Sequence, residues 1–246
     1  MIRFTILRAR AREIRQKEGL MRFFMVSSLF LISPIYKCST FYLYKYYVKK
    51  DMNLDEARLK LKLNNVKCQI ISSNQEADKL ELENYKFRSY PTNHNNGLTT
   101  YSLRLNQGAI AFCTFVRDDF AAITWVIPSQ YVQDRIKTLP IKVGYSNHEA
   151  FARGAWVNPK YRKLGVYGFT ISNRDKFLTG LGINVLWNAI ETSNETGQAL
   201  QRTVGSIKSG RGRLVRILFW KFWRQTPEDK LAQYGDAYLN CPHKRL

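Results

Sequence analysis

The sequence predicts an α+β (α/β) chain in which a mixed, largely antiparallel sheet is flanked by helices. Three observations predict it. The 246 residues are 45% hydrophobic and 13% aromatic, enough to bury a sizeable core and without low-complexity tracts or repeats. Between residues 99 and 157, short β-prone segments follow one another with turn residues between them. After Pro159 the period changes, and helix, strand, helix and strand patterns alternate to residue 223.

The elements read in order as follows. Residues 1–22 carry Arg3, Arg8, Arg10, Arg12, Arg15, Lys17 and Arg22 against Glu13 and Glu18, the pattern of a basic helix. Residues 23–36 form an uncharged run that Lys37 ends and FYLY at 41–44 resumes. That run is shorter than the ~20 apolar residues a spanning helix needs, and it contains Pro34. No small-residue cleavage site follows it, as a signal peptide would require. Two readings stay open: a core helix packed on the main domain, or a segment lying in a membrane interface with arginines at anionic headgroups. Residues 1–48 are thus expected to be a basic-hydrophobic helical extension, and residues 49–246 the main domain.

Within that domain Leu54–Leu63 reads as a helix capped by Asp51 or Asn53, and Val66–Ile71 as a strand. Tyr90–Gly97 holds Pro91, three asparagines and Gly97, and reads as a loop. Thr99–Leu105, Gly108–Val116 and Ala121–Ile127 read as strands of an antiparallel meander, the last stopped by Pro128. Ser129–Leu139 suits a short helix. Glu149–Val157 is a strand that Pro159 ends. Gly165–Thr179 is a helix stopped by Gly180 or Gly182, and Ile183–Ile190 a buried strand. Asn194–Val204 is a helix capped by Ser193 or Asn194, and Arg213–Trp223 a final aromatic strand.

The net charge is +20, from 39 basic and 19 acidic residues, which predicts an anionic partner: membrane surface, nucleic acid or phosphorylated ligand. Residues 208–224 interleave Lys208, Arg211, Arg213, Arg216, Lys221 and Arg224 with Phe219, Trp220, Phe222 and Trp223. That mixture suits single-stranded nucleic acid or a bilayer interface, or it is a core strand with one solvated face. The N-terminal run favours membrane over nucleic acid. Cys38, Cys68, Cys113 and Cys241 are far apart with no C-x-x-C, and His94, His148 and His243 lack metal-ligand spacing. No metal is expected. Separate cysteines fit reduced thiols in a cytoplasmic protein, peripheral to the inner face of a membrane if the N-terminal segment lies there.

The informative stretch is Trp156-Val-Asn-Pro-Lys-Tyr-Arg-Lys-Leu-Gly-Val-Tyr-Gly168. A strand ends at Val157, Pro159 breaks it, and a helix opens near Gly165. Amides at that helix start, with its dipole, make an anion site suited to a pyrophosphate. Arg162 and Lys163 add positive charge.

Here the sequence resembles the GNAT superfamily of N-acetyltransferases, whose pattern V-x-P-x-x-R-x-x-G-x-G/A it matches at Val157, Pro159, Arg162 and Gly165. It departs at Tyr167, where the family has a small residue, and Gly168 follows. The resemblance covers residues 98–223 and continues through strand, Asn194, helix and Val204-Gly205, with Ser206 where the family usually has Phe. It implies a GNAT-like fold and an acetyl-CoA or longer acyl-CoA donor. Arg162, Lys163, Leu164, Gly165, Val166, Tyr167 and Gly168 would cradle the pyrophosphate, Val157 would bond the pantetheine arm, and Asn194 would contact its far end. The family's fourth and fifth strands would splay to admit the thioester.

The implied reaction is attack of a neutral amine on the thioester carbonyl, which needs a base. Glu149, at the start of the strand leading to the loop, is the first candidate and Glu191, at the end of the next strand, the second. The family's general-acid tyrosine is Gln201 here, so that acid is missing or another group such as Tyr167 supplies it. The acceptor is expected to be a small-molecule or lipid-linked amine. The alternative is a catalytically degenerate GNAT-like module that binds an anionic partner.

Overall fold

The computed structural model describes residues 36–49, 61–83, 103–136, 139–218 and 220–229. The basic segment 1–22, nearly all of the run 23–36, the loop 90–97 and most of the helix expected at 54–63 lie outside the described residues. Among the described residues no helix is long and apolar enough to cross a membrane.

Among the described residues eight strands form one sheet in the order β2-β3-β4-β5-β6-β1-β7-β8. They are β1 (Tyr36–Tyr47), β2 (Val66–Ile71), β3 (Ile110–Val116), β4 (Asp119–Ile127), β5 (Glu149–Val157), β6 (Val185–Glu191), β7 (Ile207–Ile217) and β8 (Trp220–Pro227). Every neighbouring pair is antiparallel except β5 with β6. Helices α1 (Asn74–Leu82), α2 (Gln130–Ile136), α3 (Val166–Gly180) and α4 (Glu195–Thr203) accompany it. The expected class, a mixed and largely antiparallel sheet flanked by helices, is the one observed.

β3 and β4 are apolar at almost every position because both of their faces are covered. One face carries Leu43, Phe115, Ile123, Trp125 and Phe151 against Ala77 and Leu80 of α1 and Val132 of α2. The other carries Phe112, Val126, Ala150 and Leu186 against Ile171 and Leu178 of α3. Helix α1 begins at a capping box, in which Ser73 and Glu76 satisfy each other's backbone amides. That S-x-x-E signal was readable in the sequence, although the segment did not read as a helix.

Four expectations need correction. Residues 36–47, assigned to the helical extension, are instead a strand in the middle of the sheet, between β6 and β7. Tyr, Phe and Leu suit a strand buried on both sides, and such a run lacks the alternation that marks a half-buried one. Lys45 interrupts it, but its charge meets Glu149 at 3.7 Å and lies over the Trp187 ring. The segment read as a strand at Thr99–Leu105 ends in a helical turn at 103–106. The final strand is a hairpin, β7 and β8, that turns at Leu218 with φ of 53°. No glycine or asparagine marks that turn, so the aromatic run conceals it. Finally, Cys38 is disulfide-bonded, so the expected set of separate thiols does not hold there. Cys68 and Cys113 are free, and burial pushes both thiols up, Cys68 to about 11.

Helix α3 is fixed by polar contacts under its apolar face. Arg174 and Asp175 are both buried and joined at 2.7 Å, and Tyr46 of β1 donates its hydroxyl to the same carboxylate. The Arg174 guanidinium also lies over the Tyr46 ring, 5.1 Å from its centre. Burial first, then the Asp175 charge, raises the Tyr46 pKa, so the phenol stays protonated and remains the donor. Removing one member of such a pair leaves a buried charge unpaired, which costs about 3–5 kcal/mol. Arg174→Met is therefore expected to lower the urea midpoint sharply, and Arg174→Met with Asp175→Leu to recover most of the loss. A single variant within 1 kcal/mol of the parent, on the order of one surface substitution, would remove this pair as the anchor of α3.

Candidate active site at the split between two parallel strands

Strands β5 and β6 pair only from Glu149–Val185 to Ala152–Asn188. Beyond that point β5 runs on against β4 alone. The cause lies in β5 itself. Trp125 faces Arg153 and Ile123 faces Trp156, so β5 carries one residue more than β4 across that interval. Gly154, with φ of 68°, makes this bulge possible. A Cβ there would stand 3.3 Å from the Trp125 ring, in a backbone conformation that L-residues avoid. A bulge increases local twist, and it swings the end of β5 away from β6. Trp156, stacked on Phe120 with ring centres 5.8 Å apart, holds that end against the sheet.

The chain leaves β5 through a fixed corner. Buried Asn158 donates its backbone N–H to Ala121 and its side-chain amide to Phe120, and accepts from the Lys160 N–H. Tyr161 donates to Asp119 at 2.6 Å, and Lys160 joins the same carboxylate. Burial alone would raise the Asp119 pKa, but the bonds from Tyr161 and Lys160 outweigh it and hold the carboxyl below its usual range. Lys163 (φ 63°) and Gly165 (φ 83°) then take left-handed conformations on either side of Leu164. Such alternation of φ sign turns successive amides toward one side, a concavity that suits an anion. The Lys62 N–H donates to the Leu164 carbonyl, so the loop is tied to residues 61–63.

Helix α3 starts with Gly165 as its cap, which has no side chain to satisfy the first amides. The first helical bond is donated by Phe169 to Gly165. The N–H groups of Val166, Tyr167 and Gly168 therefore have no acceptor among the described residues. A Cβ built on Gly168 meets nothing within 4 Å, so the approach is open there. Arg162 and Lys163 are exposed beside this helix end, and Arg162 Nε donates to the Val157 carbonyl at 3.3 Å. The residues expected to bind pyrophosphate thus form one positively charged turn with three unsatisfied amides, next to the open edge of β5.

The other named residues fall in different places. Tyr167 is half-buried and packs against the apolar cluster between α3 and the sheet, and burial raises its pKa. Asn194 caps α4 by accepting from the Gly197 N–H at 2.9 Å. Gln201, at the position of the family's tyrosine, is buried and accepts from the Ser206 hydroxyl at 2.8 Å. Two of the three departures from the resembled pattern, Gln201 and Ser206, are therefore partners of one another.

The two carboxylates differ. Glu149 sits at the closed end of β5, where its Oε2 accepts from the Gly144 N–H at 2.8 Å and Trp187 Nε1 at 2.6 Å. Lys45 approaches its other oxygen. Glu191 ends β6 opposite Phe41, and it lines a cavity of about 190 Å³ with Arg153, just beyond the last β5–β6 pair. Sequence reasoning did not single out Arg153. The side chain is solvent-exposed, yet desolvation around the guanidinium, then the nearby Arg104 charge, lower its pKa to about 10. It stays cationic at neutral pH.

No family model and no curated protein matches the sequence. Among solved structures, the chain aligns with a GCN5-related N-acetyltransferase from Sphaerobacter thermophilus at 10% identity and a TM-score of 0.44, over 81% of this chain and 56% of that one. A functionally unknown conserved protein from Staphylococcus epidermidis aligns at 13% and 0.45, over 78% and 67%. An aminoglycoside acetyltransferase from an uncultured soil metagenomic sample aligns at 14% and 0.37, over 58% and 88%. At this overlap the functional reading rests on the split of β5 from β6 and the start of α3.

The bulge gives a direct test. Gly154→Val forces a β-branched residue into left-handed backbone, which costs at least about 1–2 kcal/mol. A lower Tm is expected from thermal unfolding. Gly168→Ala, in open space on the helix, is expected to be neutral or to stabilise by about 0.5–1 kcal/mol. If Gly154→Val unfolds at the parent temperature, the bulge does not depend on that glycine.

Proposed function

We propose that the chain is an acyl-CoA-dependent N-acyltransferase. One observation carries the reading: three unsatisfied amides at the α3 N-terminus, flanked by Arg162 and Lys163, adjoin the unpaired edge of β5. A diphosphate needs the first and a peptide-like pantetheine arm needs the second. The amides of Val166, Tyr167 and Gly168 with Arg162 and Lys163 would hold the diphosphate, with Leu164 and Gly165 shaping the turn. The β5 edge up to Val157 would pair with the arm. Asn194 is assigned to shaping the α4 end of the cleft through its cap, since its Oδ1 is already engaged.

The donor supplies an acyl group as a thioester. The acceptor ammonium first loses one proton. The neutral nitrogen attacks the carbonyl carbon, a C–N bond forms, and the C–S bond breaks. The second nitrogen proton is lost, and the departing thiolate takes up one proton, so each turnover releases an amide, a thiol and one net proton. Glu191 is the better placed base, because it stands at the split, whereas Glu149 stands at the other end of β5. Tyr167 keeps its proton at neutral pH but packs into the core beneath α3, so the departing thiolate takes its proton from solvent. Acceptors are small-molecule or lipid-linked amines, and the acyl group is acetyl or longer.

Saturating acetyl-CoA is expected to stabilise the protein, by about 2.7 kcal/mol at one hundred times Kd. For a chain of this size that is a Tm rise of several degrees, about 2–4 °C per kcal/mol. Gly165→Trp is expected to abolish the shift, and Arg162→Ala to reduce it. No shift with acetyl-CoA or longer acyl-CoAs would remove the transferase reading.

A second reading draws on a separate observation. The tip of the β7–β8 hairpin exposes Ile217, Leu218, Trp220 and Phe222 beside Arg216, Lys221 and Arg224. Apolar groups rimmed by cations suit an anionic bilayer surface. Flotation with phosphatidylserine vesicles, lost on Trp220→Ser with Phe222→Ser and absent with neutral vesicles, is the expected result. If the full-length protein never floats, the tip has no membrane role.

A further inference from the structure

The cavity beside the split has a composition that the transferase reading does not require. It is lined by Lys37, Ser39 and Phe41 of β1, Arg153 of β5, Glu191 of β6, and Leu214 and Arg216 of β7, with Leu139 over it. The register explains why these residues meet. β6 stops at Glu191, while β1 overhangs it, and Lys37 pairs with Arg216 across the β1–β7 ladder. On the other side β5 has already turned away after Ala152. The space left by both departures is bounded by cations from three strands.

Three like charges around so small a space repel each other unless something negative is taken up. Lys37, Arg153 and Arg216 form no ion pair among the described residues, while Glu191 alone supplies a carboxylate to the cavity. At about 190 Å³ the cavity falls below the ~300–1,000 Å³ typical of drug-sized ligands, so it takes a compact head group.

We propose that this cavity is the acceptor site and that it selects amines that also carry an anionic group, a carboxylate or a phosphate monoester. Lys37, Arg153 and Arg216 hold the anion. Glu191, at the mouth toward the split, receives the ammonium end and takes the proton that must leave before attack. Guanidinium groups suit this role because they present paired donors to planar or tetrahedral oxyanions. The acceptor role rests on the transferase reading, whereas selection of the anion does not.

The test therefore separates them. Binding of matched probes to the full-length protein is measured by calorimetry without any acyl donor: O-phosphoethanolamine against ethanolamine, and β-alanine against propylamine. The anionic member of at least one pair is expected to bind about tenfold or more tightly, the range of a hydrogen bond to a charged group. The phosphate and carboxylate arms show which oxyanion fits. Arg216→Gln, an exposed position, is expected to erase that preference while the acetyl-CoA thermal shift persists. Arg153→Gln is expected to do the same. Equal binding of charged and neutral members in both pairs overturns the proposal, even where acetyl-CoA binds. A preference that survives both substitutions overturns the assignment to this cavity. A preference lost on substitution in a protein that does not bind acetyl-CoA keeps the anion site and removes the transferase.

Discussion

The proposed chemistry of this fold depends on the place where two parallel strands stop pairing. Hydrogen bonds between β5 and β6 run from Glu149 to Ala152 and then end. A sheet strand that loses its neighbour leaves backbone donors and acceptors exposed, which is costly unless water or a ligand meets them. Here the cause is built into β5 by an extra residue at Gly154. The neighbouring β4 keeps β5 in the sheet, so the strand bends without detaching. The result is a cleft walled by backbone on one side and closed at its base by Glu149, Trp187 and Lys45. Glu149 thus reads more naturally as a clasp at the closed end than as a base.

The second requirement is that α3 be aimed at the cleft. An anion site made of helix amides works only if the helix is held in place, because the dipole and N–H groups act over a single turn. The described contacts hold α3 along its length. Thr170 bonds Thr114 of β3 at 2.7 Å near the start, and Arg174–Asp175 joins Tyr46 of β1 in the middle. Leu178 is fully buried near the end. Thus β1, which the linear sequence places far from the site, supports both the helix and the cavity. It links the helix on one face of the sheet to the cationic cavity on the other.

The departures from the family pattern acquire a local explanation. Gln201 and Ser206 replace an aromatic acid and an aromatic neighbour, and they bond to one another. A buried amide without that hydroxyl would be left unsatisfied. Tyr167, bulky where a small residue is usual, packs against the apolar cluster under α3 and leaves its amide available. The backbone at the helix start is therefore unobstructed by its own side chains.

Much of the fold was legible in the residues. The strands at Val66–Ile71 and Glu149–Val157 agree with the sequence reading to the residue, and Pro159, Gly165 and Asn194 mark the strand end and helix caps as expected. Local rules suffice there, because proline, left-handed glycine and side-chain caps act within a few residues. The turn from Pro159 into α3 was legible for the same reason. The central place of β1, the β7–β8 turn, the clasp on Glu149 and the meeting of Lys37, Arg153 and Arg216 were not. Each depends on register between segments up to about 180 residues apart, fixed only by packing in three dimensions. The sequence by itself determined the turn between β5 and α3 and the elements around it. Tertiary structure alone decided which charges face the split, because side chains distant in the chain become neighbours only when strands choose partners.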